Sequence, residues 1–216
     1  MLPLRPKLRI PDLAIDNHPD LVVNESVHLN AARYALREVN AAWAKLRECE
    51  AVTTDHKRLA AAATKVVAHA DKVTAEALKH LEESRKMLEA KLAAEVTPVR
   101  TDQAAAEIRA HFKSQRHPFA LLGPLVSQND RRTLAAILTA PAYLSGLNES
   151  QHVTLRDLCR ETWYPEETKI LKDIDRHGGR VIMLANTVKT TLNPLITEWS
   201  GAKEESAFAA LTPKQE

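Results

Sequence analysis

The sequence predicts an all-α protein. We expect a long helical hairpin or coiled-coil-like region, then a compact bundle of short helices, with an extended arm at the N-terminus. Residues Asn24 to Val96 contain neither glycine nor proline, and a single helix of that length would measure about 110 Å. The whole chain has only 5 glycines and 4% aromatic residues, which disfavours sheets. We therefore divide the chain into four segments: an arm (1–23), a long helical region (24–100), a compact helical domain (101–200) and a polar tail (201–216).

The arm is too rich in proline to be a helix. Prolines at positions 3, 6, 11 and 19 remove backbone donors and push the residues before them toward extended conformations. Its leucines and isoleucines make it too apolar for a free linker, so we expect it to lie along another surface. That surface belongs either to its own chain or to a neighbouring subunit, and Leu4, Leu8 and Ile10 are candidate interface residues.

The long helical region contains two apolar seams, each with alternating spacings of three and four residues. The first seam is Leu29, Ala32, Leu36, Val39, Trp43 and Leu46. The second is Leu59, Ala63, Val66, Ala70, Val73, Ala77 and His80. Such seams are buried when two helices pack at a shallow angle. Leu36, Trp43 and Leu46 are therefore further candidate interface residues.

The phase of the seam slips by one residue around Thr53-Thr54-Asp55, whose side chains can cap a helix. Either one helix twists its buried face there or two helices meet. We favour two long helices folded as a hairpin, or one that bends sharply.

Frequent proline and glycine cut the compact domain into short helices. We expect one helix from Thr101 or Asp102 to about Arg116, and another from Arg131 to Thr139. A capping box predicts a third from Asn148, with Val153, Leu155, Leu158 and Cys159 buried. Pro165 starts a fourth helix that we expect to end at Gly178, and a last helix precedes Trp199, with Pro194 kinking or ending it.

No stretch of the sequence has the spacing of a common catalytic, nucleotide-binding or metal-binding motif. Gly178-Gly179, flanked by Arg176 and Arg180, is the nearest approach to a phosphate cradle, but helix termination explains it better. Cys159 is better explained as a core thiol than as a nucleophile activated by His152. We therefore predict no enzyme activity, catalytic residue, cofactor, metal or small-molecule substrate.

The composition limits the partners. With 30 Lys and Arg against 28 Asp and Glu, the net charge is +2, so no global field attracts nucleic acid or an anionic membrane. The N-terminus is too broken by proline for a signal peptide, and no apolar run is long enough to span a bilayer. Trp163 and Tyr164 are predicted to anchor a helix end or an interface rather than to stack on a base.

One segment resembles known proteins. The segment is Leu134-Ala-Ala-Ile-Leu-Thr-Ala-Pro-Ala-Tyr-Leu-Ser-Gly-Leu147. It is similar to a stretch of sequence in uncharacterised helical structural or assembly proteins of tailed bacteriophages and prophages. The resemblance covers 14 residues and implies a virion component made in the host cytoplasm.

The functional prediction combines the arm, the seams and this resemblance. We expect a non-enzymatic structural or assembly component of a phage-like virion that forms a homo-oligomer or binds other virion proteins. The alternative is a cytoplasmic helical adaptor or nucleic-acid-binding regulator that uses Arg131, Arg132, Arg176 and Arg180. Nucleic acid is the less favoured partner, and we expect no membrane association.

Overall fold

The computed structural model describes Ile10, Pro11, Leu13 and residues 26–96 and 103–201. These residues form seven α-helices and no β-strand, which confirms the all-α prediction. The helices are α1 (Asn30–Val52), α2 (His56–Val96), α3 (Gln103–Lys113), α4 (Leu122–Ser127), α5 (Arg131–Leu138), α6 (Glu149–Trp163) and α7 (Pro165–Trp199). Short 3-10 turns cover Val27–Leu29, Pro118–Leu121 and Ala142–Ser145.

The described chain divides into two compact units. Unit 1 contains the residues up to Glu82 and those from Ile174 onward, and unit 2 contains Glu83–Asp173. Both boundaries fall inside long helices, α2 and α7, so each of these helices contributes to both units. The division therefore differs from the one predicted near residue 100, because a helix can leave one core and enter another without a break in its backbone.

The chain breaks between α1 and α2 at the residues where the seam slips. Thr53 has an extended backbone (φ −133°, ψ 143°), which ends α1. The Thr53 hydroxyl accepts the Asp55 N–H at 3.2 Å, and the Asp55 carboxylate accepts the Arg58 N–H at 3.2 Å. The Asp55 carboxylate thus binds one backbone donor that the first turn of α2 leaves without a helical partner.

Helices α1 and α2 lie side by side over part of their length. Glu38 Oε2 on α1 is 3.6 Å from His69 Nε2 on α2, and residues of both helices line an open groove of about 420 Å³. Since α1 has 23 residues and α2 has 41, α1 can cover only part of α2. A hairpin along the whole of the long helical region (24–100) stays a prediction.

Both predicted seams are buried, except for the last residue of the second seam. Every residue of the first seam is at most 6% exposed, and the second is buried from Leu59 to Ala77. His80 is exposed, so its predicted place in the seam is wrong. The buried face instead continues through Leu81, Leu88 and Leu92. The steps from Val73 to Ala77 and from Ala77 to Leu81 are both of four residues. Two such steps in succession rotate the buried face around the helix axis, whereas alternating steps of three and four would keep it on one side.

Unit 2 surrounds one apolar cluster. Helix α3 packs against α5, and α4 packs against α5 and α6. The fully or nearly fully buried members are Val96, Phe112, Leu122, Val126, Leu134, Ile137, Leu138, Ala142, Leu147, Leu155 and Cys159. The segment that carries the phage resemblance, Leu134–Leu147, therefore supplies much of this core.

Two predicted helix starts in unit 2 are confirmed in detail, whereas the predicted caps Thr101 and Asp102 lie outside the described residues. Asp130 accepts the Thr133 N–H, and Asn148 and Gln151 form a capping box at α6. Val153 and Leu158, however, are 44% and 39% exposed, so their predicted burial is wrong. They lie beside the buried stripe of α6, which is narrower than the apolar pattern suggested.

Helix α7 corrects the largest error in the predicted fold. It begins at Pro165, as predicted, but runs without interruption through Gly178-Gly179 and Pro194 to Trp199. Neither Gly178 nor Gly179 adopts a positive φ, so neither ends a helix. One buried seam continues from Ile174 to the end of the helix, across both glycines and Pro194: Ile174, His177, Val181, Leu184, Val188, Leu192, Leu195 and Trp199. Burial of this seam outweighs the cost of two interior glycines, about 1 kcal/mol each.

Candidate interaction surfaces

Most of the predicted interface residues are used inside the chain. Leu4 and Leu8 lie outside the described residues. The fold buries four others, Ile10, Leu36, Trp43 and Leu46, which are 1%, 6%, 3% and 2% exposed respectively. These four side chains offer no surface to a second molecule in this structure.

Part of the arm is docked on its own chain. The Ile10 N–H donates to both carboxylate oxygens of Glu50 on α1, at 3.1 and 3.2 Å. The Trp43 indole Nε1 donates to the Pro11 carbonyl oxygen at 3.1 Å. Leu13 is 5% exposed. At these positions the arm therefore stabilises α1 rather than reaching for a neighbour.

Trp163 and Tyr164 anchor a helix end, which is one of the two roles predicted for them. The Trp163 Nε1 donates to the Val126 carbonyl at 3.3 Å. The Arg131 guanidinium stacks over both rings, 5.0 and 5.5 Å from their centroids, and its Nη1 donates to the Tyr164 hydroxyl at 2.9 Å. This cluster fixes the start of α5 against the end of α6.

The arginines of the nucleic-acid alternative divide between the two units. Arg131 is engaged by the two rings, and with Arg132 it belongs to unit 2. Arg176 and Arg180 belong to unit 1 and lie on α7. Because Gly178 and Gly179 are inside this helix, their amides do not form an anion-facing loop.

The two cysteines have opposite environments. Cys159 is fully buried in the unit 2 core, and burial raises the pKa of its thiol to about 12. It therefore stays protonated at neutral pH and is a poor nucleophile. Cys49 is an exposed free thiol on α1. No group of acidic, histidine and cysteine residues in the described part of the chain could hold a metal ion. The arm carries further residues of metal-binding type, Asp12, Asp16, His18 and Asp20, which lie outside that part.

The most distinctive surface is the outward side of α7 in unit 1, opposite its buried seam. We call it the uncharged α7 face. It consists of exposed residues that share one side of the helix and carry no charge: Gly179, Ile182, Met183, Asn186, Thr187, Thr190, Asn193, Pro194 and Thr197. Ile182 and Met183 are 49% and 67% exposed. At the edge of the face, the Lys189 ammonium forms a 2.8 Å ion pair with Asp71 on α2.

The exposed threonines of this face donate their hydroxyl protons to the helix backbone. Thr187, Thr190 and Thr197 each donate to the carbonyl oxygen four residues earlier in α7, at 2.8, 2.9 and 2.9 Å. A hydroxyl held this way needs no water molecule to satisfy its donor. The threonine donors of this face are therefore satisfied within the helix.

Gly179 leaves an open notch in the uncharged α7 face. A Cβ atom added there would meet no heavy atom within 4 Å apart from the adjacent backbone of its own helix, and φ lies outside the left-handed region. Neither backbone conformation nor packing within the chain requires glycine at this position. Gly146 is the opposite case, because it has φ +74° and its Cβ would lie 3.1 Å from the Lys113 Cα.

Sequence reasoning had missed the uncharged α7 face. The signal was present: residues 181–197 contain one charged residue, Lys189, in a chain that is 27% charged. Splitting this region into two helices at Gly178 removed the periodicity that would have placed these residues on one side.

The comparisons with protein-family models, curated proteins and solved structures find no match to this chain. Among the described helices, none is both long enough and apolar enough to cross a membrane.

Proposed function

We propose that this protein is a non-enzymatic structural or assembly component of a phage-like particle, acting through helix packing against other protein subunits. The observation that carries the proposal is the uncharged α7 face. Exposed helix surfaces that stay in water usually carry mixed charges, whereas the centres of protein interfaces are depleted of them. A long uncharged face is therefore typical of a surface that another protein subunit covers.

The particle itself is proposed from the resemblance of Leu134–Leu147 to structural and assembly proteins of tailed phages and prophages. This segment forms core in unit 2, so the resemblance concerns how the protein is built rather than a contact. The proposed location is the virion, after synthesis in the host cytoplasm.

The proposal assigns intersubunit contact to α7 and not to the described part of the arm. Ile10 and Pro11 are already hydrogen-bonded to α1, and Leu13 is buried. Leu4 and Leu8 stay candidates for contact with a neighbouring subunit. The nucleic-acid alternative gains nothing from Arg131, since this side chain is bound to Tyr164.

Quantitative mass spectrometry of density-gradient-purified particles, made by cells that encode the protein, tests the proposal. We expect the protein to band with the particles at a constant ratio to their major shell protein. A cytoplasmic protein of similar abundance serves as the control for contamination. If the protein stays in the soluble fraction with this control, it is not a particle component.

A further inference from the structure

We infer that the groove between α1 and α2 in unit 1 binds an amphipathic helix of another protein subunit, one with acidic residues along both edges of its apolar stripe. We call this surface the α1/α2 groove. The assignment rests on the proposed assembly function, for which it names a second surface and the chemistry of its partner. The supporting observations are the length of the groove, its apolar lining and the charges around it.

The α1/α2 groove has the size and the lining that suit a third helix. Its volume is about 420 Å³. The apolar residues that line it are Ala41, Ala42, Leu46, Ala62 and Val66. Along α1 the lining extends from Glu38 to Cys49, a rise of about 17 Å, which corresponds to about three helical turns. Hydrophobic grooves between helices bind the apolar side of an amphipathic helix, and the small alanine side chains leave room for one here.

The charges in the lining are unequal. Lys45 on α1 and Lys65 on α2 are exposed, and neither forms a hydrogen bond or an ion pair with another residue in the described part of the chain. The lining contains one carboxylate, Glu38, whose Oε2 lies 3.6 Å from the imidazole Nε2 of His69. The groove therefore presents one ammonium group from each helix to a partner, while its carboxylate already faces an imidazole.

The charged residues around the lining do not reverse this sign. Helical residues three or four positions apart lie on the same side, so the relevant neighbours are those at these spacings from a lining residue. The charged ones are Arg37, Glu48, Glu50, Arg58 and Lys72. Cations outnumber carboxylates among them, and Glu50 already accepts the Ile10 N–H. The groove and its surroundings thus carry an excess of positive charge.

This combination of charge and apolar lining specifies the partner. Carboxylates on both edges of an apolar stripe would reach Lys45 on one side and Lys65 on the other, while the stripe covers the apolar lining. A basic helix would place cations beside these lysines, which is unfavourable. Phosphates of a nucleic acid would pair with the lysines but would leave the apolar lining without an apolar partner.

The length of the groove sets the strength of the contact. Three helical turns bury less surface than the 1,200–2,000 Å² of a typical stable complex, so we expect a dissociation constant on the order of 100 µM to 1 mM. Many copies in one particle would raise the effective concentration enough for such contacts to matter.

An NMR titration of the isotope-labelled full chain with two synthetic helical peptides of about 18 residues tests the groove. The acidic peptide has a leucine and alanine stripe with glutamate on both edges, and the basic peptide has lysine in place of each glutamate. At peptide concentrations up to about 2 mM, we expect the acidic peptide to shift the amide signals of the lining residues and the basic peptide to leave them unchanged. Shifts confined to another surface would overturn the assignment.

A charge reversal tests the role of the two lysines. The double variant Lys45→Glu, Lys65→Glu should bind the acidic peptide about five- to tenfold more weakly and should gain affinity for the basic peptide. The matched control is Lys57→Glu, Lys169→Glu, which changes the net charge equally at two exposed lysines outside the lining. Equal weakening by both double variants would reduce the effect to net charge and overturn the groove.

A steric variant tests the groove without changing its charge. Ala42→Phe places a ring among the lining residues, so it should weaken binding of the acidic peptide. Ala75→Phe, at an exposed position of α2 outside the lining, is the control and should bind like the wild-type protein. Circular dichroism checks the folding of every variant. Wild-type affinity in a folded Ala42→Phe protein would contradict binding in the groove.

Cys49 provides an independent readout at one end of the groove. Its thiol is exposed, whereas Cys159 is buried, so a thiol-reactive dye should modify Cys49 first. The acidic peptide should slow this reaction in proportion to the fraction of protein bound, and the basic peptide should not. An unchanged rate with the acidic peptide bound would place the peptide elsewhere.

Two other occupants of the groove give distinct results. Lining signals that shift when the protein alone is concentrated would assign the groove to a second copy and overturn the partner named here. A single-stranded DNA of about 18 nucleotides that shifts these signals, when the acidic peptide does not, would assign it to nucleic acid.

Comparison with the purified particles separates this assignment from the proposed function. A protein that bands with particles but does not bind the acidic peptide overturns the groove assignment and leaves the assembly role standing. A protein that binds the peptide in the groove but is absent from the particles contradicts the proposed function and leaves the groove as a binding site for acidic helices.

Discussion

The two longest helices, α2 and α7, have similar buried sides but differ in the charge of their exposed sides. Both bury apolar residues spaced three and four apart. Within unit 1, the exposed side of α2 carries Lys57, Arg58, Lys65, Lys72, Glu76, Lys79 and Glu82. The exposed residues of α7 from Gly179 to Thr197 carry no charge, and the half-exposed Arg180 and Lys189 lie at the edges of this face.

This contrast separates the requirements of folding from those of interaction. A buried seam is sufficient to hold a helix against its unit, so it does not explain why one outer side is charged and the other is not. Charged outer residues keep α2 well hydrated and discourage association. The corresponding surface of α7 lacks these charged groups.

The largest expected effect comes from breaking the inner side of α7. Leu184 is fully buried, so Leu184→Ala should lower the free energy of unfolding by about 2–5 kcal/mol. Urea denaturation followed by circular dichroism measures the change. Met183→Ala is the control on the adjacent, 67% exposed residue, with an expected change within about 0.5 kcal/mol. Equal losses would mean that the two sides of α7 are assigned incorrectly.

The inner side of α2 can be tested by adding volume. Ala70 and Ala77 are 1% and 3% exposed, so replacing either with leucine should overpack the seam and destabilise the protein by about 1–3 kcal/mol. Ala68→Leu, on the exposed side of the same helix, should leave stability nearly unchanged. Thermal melts of the three variants suffice, and an unaltered melting temperature for Ala70→Leu would show that this seam is not tightly packed.

A smaller effect of opposite sign is expected on the outer side of α7. Gly179→Ala should raise the free energy of unfolding by about 0.5–1 kcal/mol, because alanine favours the helix and has open space there. Gly146→Ala should instead destabilise the protein, since it has φ +74° and its Cβ would lie 3.1 Å from the Lys113 Cα. Denaturation of dilute samples keeps self-association from contributing. A destabilised Gly179→Ala monomer would mean that the space around this glycine is not open.

The two glycine sites also show how far the sequence could predict the fold. Apolar spacing identified the first seam completely and located the break near Thr53, because periodic burial leaves a direct trace in the sequence. At Gly178-Gly179, local propensity indicated a helix end, whereas burial of the seam on both sides determined a continuous helix. Tertiary packing outweighed about 2 kcal/mol of local preference there.

The candidate surface was harder to predict for a related reason. An uncharged side of a helix can be recognised only when the helix is known to continue and its buried side is known. The docking of Ile10 on Glu50 was also beyond the sequence, because an extended segment has no periodicity that specifies its binding site. Burial of Trp43 was predicted, but that its indole binds the Pro11 carbonyl was not.

The smallest expected effect concerns a place within unit 2 where outer residues of α2 and α7 are charged and paired. The Lys91 ammonium donates to Glu167 Oε1 at 3.1 Å, which lowers the pKa of the Glu167 carboxyl and raises that of Lys91. Their contribution to stability should therefore be constant between about pH 5 and pH 10. It should be lost as the pH falls through the folded-state pKa of Glu167, or rises through that of Lys91. Since both groups are solvated, we expect a small effect on stability.

A carbon-detected NMR titration of Glu167 measures this effect directly. Its pKa should lie below the ordinary value of about 4.3 in the wild-type protein and return toward it in Lys91→Met. Salt at about 0.5 M should reduce the shift, because it screens exposed charges. A pKa that is unchanged by Lys91→Met would show that this pair does not persist in solution. The charged outer sides of α2 and α7 in unit 2 would then be simply hydrated, and only the uncharged α7 face would stay distinctive.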